Sequence, residues 1–379
     1  MPCLYLQVPI VKILHVYRTY FPDTQGGLEE VIRQICINTT AQGVKNRIFT
    51  LSKTAAPAII YADEATVYRS KQSFEIASCG FSAAAFLEFK QHVEWADIIH
   101  YQAPWPFSDL LHLLIARKKP AIVTYQSDIV RQKILAIVYK PLMNLYLGKL
   151  DRIVATSTNY VKSSPVLNAY KNKIEVIPIG IDRVSYPAID EHIHQQLKQK
   201  YGEGFFFFIG VLRYYKGLSY LLDALEGTDY PMLIAGSGPE EQGLKKQAKR
   251  LNLKNVIFLG RISDEQKMAL YQLSKVVVFP SCERSEAYGV TLVEAAMNAR
   301  PMISTELQTG TSYVNKDGET GIVVEPKNVE QLKQAMEKMQ NSPELIERMG
   351  YAAYQRYLKL FTGKKMGESY AKLYKHILK

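Results

Sequence analysis

Two glutamates eight residues apart, Glu286 and Glu294, have the type and spacing to hold a polyhydroxyl ligand. Glu286 lies in the glycine-containing turn Glu283-Arg-Ser-Glu286-Ala-Tyr-Gly289, and Glu294 falls about two helical turns further on. A carboxylate in a loop and a second on the following helix can each bridge vicinal hydroxyls, one set on a sugar and one on a ribose. The backbone N–H groups of Gly289, Val290, Thr291 and Leu292, at that helix start, can meet a phosphate or a sugar oxygen. Upstream, FFFFIG runs into VLRYYKG, so Arg213 and Lys216 stand just past a strand end. Two cations there suit a diphosphate, although a solvated loop would carry the same residues. Gly26-Gly27 ahead of a helix, and Gly236-Ser237-Gly238-Pro239 after a strand, let backbone N–H groups approach a phosphate. A GG turn before a helix is common and does not decide the matter alone. GxGxxG after the first strand and GxxxxGK[ST] are both missing, which removes the main support for dinucleotide and P-loop readings. No DxD stands where a strand ends in a loop, so no metal is expected.

Such residues need parallel strands to hold them. Strand-like runs alternate with amphipathic helical stretches along the whole chain, the mark of parallel sheets with helical crossovers. Residues 11–17, 46–52, 96–101, 120–125, 151–157 and 173–180 read as strands, with helical stretches such as Leu28–Ala41 and Asp109–Lys118 between them. The pattern restarts at 205–210, 231–236, 255–260, 276–281, 301–306 and 321–326. The polar stretch Arg183–Gly204 reads as a linker, and Ser342–Lys379 as all helix. The expected organisation is an N-terminal domain over 1–182, a linker over 183–204 and a second domain over 205–355. Residues 356–379 are expected to form a C-terminal helix that packs back on the first domain. Two doubly wound domains imply a cleft between them, with ligands at the carboxyl ends of strands where strand order reverses.

A chain of 379 residues suits two α/β domains, and 47% apolar with 22% charged residues is ordinary for a folded soluble protein. Apolar runs fall short of the ~18 residues a spanning helix needs, and the N-terminus shows neither a basic start nor a small-residue cleavage site. Cys3, Cys36, Cys79 and Cys282 are scattered, as reduced thiols would be. The net charge of +11 is concentrated: between Arg117 and Lys173 stand eleven Lys or Arg against Asp128 and Asp151. Aliphatics interleave with these cations, including Ile134, Ile137 and Val138, then Leu142 and Leu145 beyond Pro141. Two short amphipathic helices split by the proline would lay both residue types on a membrane surface. A pair of core-packing helices with solvated lysines is the plain alternative.

The motifs EAYGVTLVEAAMNARP, RYYKGL, GSGPEE, STELQTGTSYVN and DGETGIVV strongly resemble the retaining GT-B glycosyltransferases of family 4. Within that family the chain resembles the mannosyltransferases of bacterial O-polysaccharide assembly, from VKILHVYRTYFPDTQGG to FTGKKMGESY. The resemblance implies the GT-B fold, two Rossmann-like domains facing across a cleft. It implies that Glu286 holds the donor sugar, Glu294 the ribose and Lys216 the diphosphate. Gly26 and Gly27 would face the donor phosphates, and Asp264, in the loop cradling the base, would favour guanine. Gln126, Asp128, Arg131 and Lys133 fall on the acceptor and membrane side. Three positions depart from the family pattern: Val211 replaces an arginine, Gln126 a histidine and Gln308 a glycine, with Arg213 a substitute for the first.

The implied reaction is retaining transfer of mannose from GDP-mannose to an undecaprenyl-diphosphate-linked glycan, an α-mannosyl linkage with α-1,3 as one option. The acceptor hydroxyl would enter on the face the diphosphate leaves, and the diphosphate oxygen would take its proton. The expected setting is cytoplasmic and peripheral at the inner face of the membrane, beside other O-polysaccharide assembly enzymes, with no cofactor. A transferase using a UDP-hexose, or a GT-B sugar-nucleotide epimerase, would share much of this pattern. An epimerase needs no basic, apolar acceptor face, and a nucleic-acid-binding protein would need a stacking platform that the sequence lacks.

Overall fold

A computed structural model describes residues 10–24, 26–76, 79–129 and 133–379. The chain divides into two compact units, one made of residues 1–156, 166–179 and 363–379, the other of 157–165 and 180–362. Each is an α/β unit on a mainly parallel sheet.

The first unit contains β1 (Val11–Val16), β2 (Val44–Ser52), β3 (Ile59–Tyr61), β4 (Thr66–Lys71), β5 (Phe74–Ile76), β6 (Cys79–Phe81), β7 (Ile98–Ala103), β8 (Ala121–Tyr125), β9 (Arg152–Ala155) and β10 (Ile174–Val176). Eight of them form one sheet in the order β10-β9-β8-β7-β1-β2-β4-β3, and β5 and β6 pair as a separate hairpin. Strand order reverses between β1 and β7, so the crevice of this sheet lies beyond their carboxyl ends. Strands β7 and β8 are buried along their whole length, as central parallel strands covered on both faces should be. The strands β3 to β6 were not expected. In β4 the sequence TVYRSK hides its role, because Arg69 is a buried strand residue whose guanidinium clamps Asp23 at 2.6 Å. That ion pair ties β4 to the loop between β1 and the helix Gly27–Thr40.

The expected Asp109–Lys118 helix is instead Pro106–Leu111, continuing as a π-type turn over His112–Ala116. The two helices predicted around Pro141 are one helix, Lys133–Lys149, with the proline inside it. Proline removes a single N–H bond, and the helix runs on because Met143, Tyr146 and Leu147 beyond it are buried. The C-terminal helix Gly363–Ile377 packs on Gly27–Thr40, where a Cβ on Gly367 would sit 2.5 Å from the Asn38 Cβ.

The second unit contains β11 (Phe205–Ile209), β12 (Met232–Ala235), β13 (Val256–Gly260), β14 (Ser274–Phe279), β15 (Met302–Thr305) and β16 (Gly321–Val324). They form a parallel sheet in the order β13-β12-β11-β14-β15-β16, reversing between β11 and β14. Phe206, Phe208, Val276, Val278 and Ile303 build its core against helices that include Val329–Gln340. The stretch 183–204 is no bare linker. Its helix Glu191–Tyr201 packs on Asp264–Leu273, with a polar composition because none of its residues is fully buried. Two further boundaries shift: 157–165 belongs with the second unit, and the C-terminal return to the first begins at Gly363 rather than 356.

Candidate active site

The two loops flanking the reversal point of the second sheet bring Lys216 and Glu286 together. Lys216 Nζ lies 2.5 Å from Glu286 Oε2, and both side chains are nearly buried, at 11% and 12% exposure. The reason is local. Gly217 ends a 3-10 turn at a φ of 68°, and a Cβ there would lie 1.9 Å from the Pro280 carbonyl oxygen. Only glycine lets the loop after β11 press so closely on the loop after β14. The Lys216 ammonium also lies 4.7 Å from the Phe279 ring centroid, and Ser281 Oγ donates to Glu286 Oε2 at 3.3 Å. The Glu286 backbone is held by Thr309 Oγ1, which donates to its carbonyl at 2.9 Å. A lysine beside a carboxylate in a nearly buried site can hold an anionic leaving group next to a group that accepts sugar hydroxyls.

Glu294 lies on the helix Val290–Met297, whose N-cap Gly289 has a φ of 85°, a left-handed value that favours glycine. Its Oε1 accepts from the Tyr186 hydroxyl at 2.8 Å and from Lys267 Nζ at 3.0 Å, and its Oε2 from the Tyr271 hydroxyl at 2.8 Å. Burial pushes the Lys267 ammonium down, but the Glu294 and Asp264 carboxylates outweigh it and hold its pKa above the usual lysine value. A carboxylate has about four acceptor positions, so this network orients Glu294 and leaves little spare capacity. Tyr186, Lys267 and Tyr271 were missed in the sequence, where nothing links positions so far apart. At the same helix start the Leu292 N–H bonds the Gly289 carbonyl at 2.9 Å, so Gly289, Val290 and Thr291 carry its donor capacity.

Other predicted positions fall less neatly. Arg213 is exposed, and among the described residues its side chain has no ion pair; its carbonyl accepts from the Lys216 N–H at 3.0 Å. Asp264 opens the helix Asp264–Leu273 and pairs with Lys267 at 2.8 Å, so its carboxylate already serves a cation and a helix start. The Gly236–Pro239 turn is packed by the protein itself, with Gly236 against the Gly210 carbonyl and Gly238 against that of Leu212. Gln308, at the glycine-type position, adopts a φ of 55°, which shows why glycine suits it.

In the first unit, Gly26 caps the helix Gly27–Thr40, as the GG pair predicts. The Glu29 carboxylate lies beneath it, accepting from Thr19 Oγ1 at 2.8 Å and Thr24 Oγ1 at 2.6 Å. A Cβ on Gly26 would lie 2.6 Å from Glu29 Oε2. That carboxylate already compensates the helix start and disfavours a second anion at Gly26. Gln126 is buried at the end of β8 and donates to Gln102 Oε1 at 2.8 Å. Asp128 accepts from the Tyr125 hydroxyl at 3.0 Å. Arg131 lies outside the described residues, and so does the side chain of Lys133, which opens its helix. On that helix Ile134, Ile137 and Val138 are 79%, 72% and 74% exposed, an outward apolar face opposite the buried Met143 and Tyr146. Tyr139 holds the helix down by donating to the buried Asp109, whose carboxyl burial pushes up to about 7. Among the described residues no helix is long and apolar enough to cross a membrane. Among the same described residues no group of three or more His, Cys, Asp or Glu converges on a metal position.

Two family models match the chain, Glycosyltransferase Family 4 over residues 25–184 and Glycosyl transferases group 1 over residues 189–356. The chain is 47% identical to D-rhamnosyltransferase WbpZ of Pseudomonas aeruginosa, over 93% of its own length and 92% of that protein's. It is 42% identical to the O-antigen chain mannosyltransferase C of Escherichia coli, over 97% and 99% of the two lengths. The chain is a family 4 glycosyltransferase. Among solved structures, sucrose-phosphate synthase from Thermosynechococcus elongatus superposes with a TM-score of 0.78 at 19% identity, covering 97% of this chain and 99% of that one. Anabaena HepE in complex with UDP and glucose gives 0.77 at 17%, covering 97% and 100%. These two establish the GT-B fold for the glycosyltransferase, with its two Rossmann-like units.

Proposed function

We propose that this glycosyltransferase moves mannose from GDP-mannose, with retention, onto an undecaprenyl-diphosphate-linked glycan in O-antigen synthesis. The observation that carries the reading is the Lys216–Glu286 pair at the reversal point of the second sheet. There Lys216 would hold the diphosphate while Glu286 accepts from the sugar hydroxyls. The acceptor hydroxyl would bond to the anomeric carbon as the carbon–phosphate-oxygen bond breaks, and the departing phosphate oxygen would take the proton. Lys216 and the N–H groups of Val290 and Thr291 would stabilise the leaving charge. The likeness to O-antigen chain mannosyltransferase C supports mannose. The likeness to D-rhamnosyltransferase WbpZ favours a second reading, transfer of D-rhamnose. D-Rhamnose is 6-deoxymannose, so the two donors differ by one hydroxyl. Turnover measured across a panel of nucleotide sugars, with membrane-extracted acceptor and product analysis, decides between them. Turnover with a UDP-hexose alone would overturn both.

Gln126 and Asp128, beyond β8, are assigned to sugar hydroxyls on the acceptor side. The exposed Ile134, Ile137 and Val138, flanked by Lys140 and Lys149, support docking of the enzyme on the inner membrane face. Each cation near an anionic surface contributes roughly 1 kcal/mol. Replacing Ile137 and Val138 by serine and Lys140 and Lys149 by glutamine is expected to release the protein from anionic vesicles. Transfer to a short soluble acceptor should survive. Unchanged vesicle binding would refute the docking.

A further inference from the structure

A buried polar chain runs beneath the crevice of the first sheet and ends on Gln126. His100 and Gln102 of β7, Thr124 of β8 and Gln126 are all buried, as are Tyr370 and Tyr374 of the C-terminal helix. His100 Nδ1 lies 2.8 Å from the Tyr374 hydroxyl, and His100 Nε2 lies 2.7 Å from Thr124 Oγ1 and 3.4 Å from Gln102 Nε2. Thr124 Oγ1 lies 2.8 Å from the Tyr370 hydroxyl, and Gln126 Nε2 donates to Gln102 Oε1 at 2.8 Å.

One arrangement of protons satisfies the whole chain. In it Gln102 accepts from Gln126 through its carbonyl oxygen and turns its amide nitrogen toward His100 Nε2. That nitrogen therefore carries a lone pair, and the ring is neutral because burial, then the nearby His15, drives its pKa well below the usual value. In the same arrangement the ring proton sits on Nδ1 and is given to Tyr374, while Thr124, the nearer of the two donors sharing the Nε2 lone pair, accepts from Tyr370. With Gln102 so placed, the Gln126 amide nitrogen is tied inward and its oxygen is turned away from Gln102. Gln126 follows β8, the neighbour of the reversal strand β7, where open parallel sheets receive ligands. An uncharged amide oxygen facing that crevice would repel phosphate oxygens and accept from hydroxyls.

We propose that Gln102, held by His100 and Tyr374, is a positioning residue that orients the Gln126 amide to accept a hydroxyl of the bound sugar substrate. This rests on the assignment of Gln126 to sugar hydroxyls made above. A histidine-type or freely rotating side chain would lack this fixed polarity, and the C-terminal helix becomes part of the site's support through its two tyrosines.

A double-mutant cycle read in kcat/KM tests it, with GDP-mannose, or the panel donor that replaces it, and membrane-extracted acceptor. Gln126→Leu is expected to lower kcat/KM about tenfold, the loss of one buried hydrogen bond. Gln102→Leu should lower it comparably, and the double variant should be no slower than Gln126→Leu alone. Gln102→Glu keeps an acceptor for Gln126 but loses the donor to His100, so its rate should fall between those of the parent and the leucine variant, which mere packing would not predict. Melting temperatures are measured alongside, and Gln102→Met replaces the leucine variant if that one fails to fold. A wild-type rate for the apolar Gln102 variant, or losses that multiply in the double variant, overturns the positioning role while leaving that of Gln126 intact. A wild-type rate for Gln126→Leu removes the assignment beneath the proposal and the proposal with it.

Discussion

Replacing Glu286 by glutamine keeps its volume and deletes its charge, and the structure gives the consequence for both stability and binding. At 2.5 Å and an effective dielectric of about 20, the Coulomb attraction between Lys216 and Glu286 is about 7 kcal/mol before desolvation. Removing one partner of such a nearly buried pair costs about 3 kcal/mol net, because the remaining ammonium is left without its counter-charge. In a unit of this size that lowers the melting temperature by roughly 6–12 °C. The same ammonium is then free to meet a diphosphate. GDP should therefore bind Glu286→Gln as tightly as the parent, or several-fold more tightly, and should restore more melting temperature in the variant. Transfer should collapse by at least about a hundredfold, since a neutral amide with one acceptor oxygen replaces the charged carboxylate that takes the sugar hydroxyls in the transition state. Calorimetric titration with GDP, thermal melts with and without it, and labelled-sugar transfer measure the three quantities. A parallel fall of GDP affinity and transfer would show that Glu286 holds the nucleotide and would refute the division of labour assigned to this pair.

Transfer is expected to persist in excess EDTA, because on the proposed reading Lys216 and backbone donors would take the role of a cation; loss restored by Mg²⁺ or Mn²⁺ would contradict that. Arg213→Ala should weaken GDP and GDP-mannose together by about 1–2 kcal/mol if the exposed side chain swings to the diphosphate, and a KM within twofold of the parent marks it as a surface residue. Asp109, with a folded pKa raised to about 7, is the reverse of the common carboxylate case. Its stability contribution is present at low pH and is lost as pH rises from about 4 to about 7, where the unfolded chain ionises first. Asp109→Asn should therefore flatten the melting-temperature profile over that window. His15 and His112, both lowered to about 4 by burial, act oppositely. Their contribution is lost as pH falls from about 6.5 to 4, so His112→Gln should lessen the acid sensitivity seen in thermal melts.

The strands that carry the site were legible because buried parallel strands are continuous apolar runs. FFFFIG, PMLIAG and VVVFPS are unbroken apolar runs bounded by Gly or Pro, and fall on β11, β12 and β14. The Glu286 and Glu294 spacing was legible for the same reason: a turn followed by a helix is a local event. Strands β3 and β4 were not, since Arg69 and Lys71 read as surface residues until Asp23 is seen beside the guanidinium. Pro141 misled in the other direction, because a proline's local cost is known from sequence while the packing that overrides it is not.

The sequence by itself determined the family, the two repeats of alternating strand and helix, and which residue types reach the strand ends. Those properties depend on near neighbours, where periodicity and turn chemistry act. Tertiary structure alone decided what each polar side chain meets. Lys216 and Glu286 are seventy residues apart and become an ion pair through the reversal of strand order and one glycine. Glu294 acquires Tyr186, Lys267 and Tyr271, and Gln126 is oriented through a chain that ends on Tyr374, 274 residues from His100. Hydrogen bonds and buried charges are settled by distances of a few ångströms, and long-range contacts of that kind leave no spacing in the sequence to read.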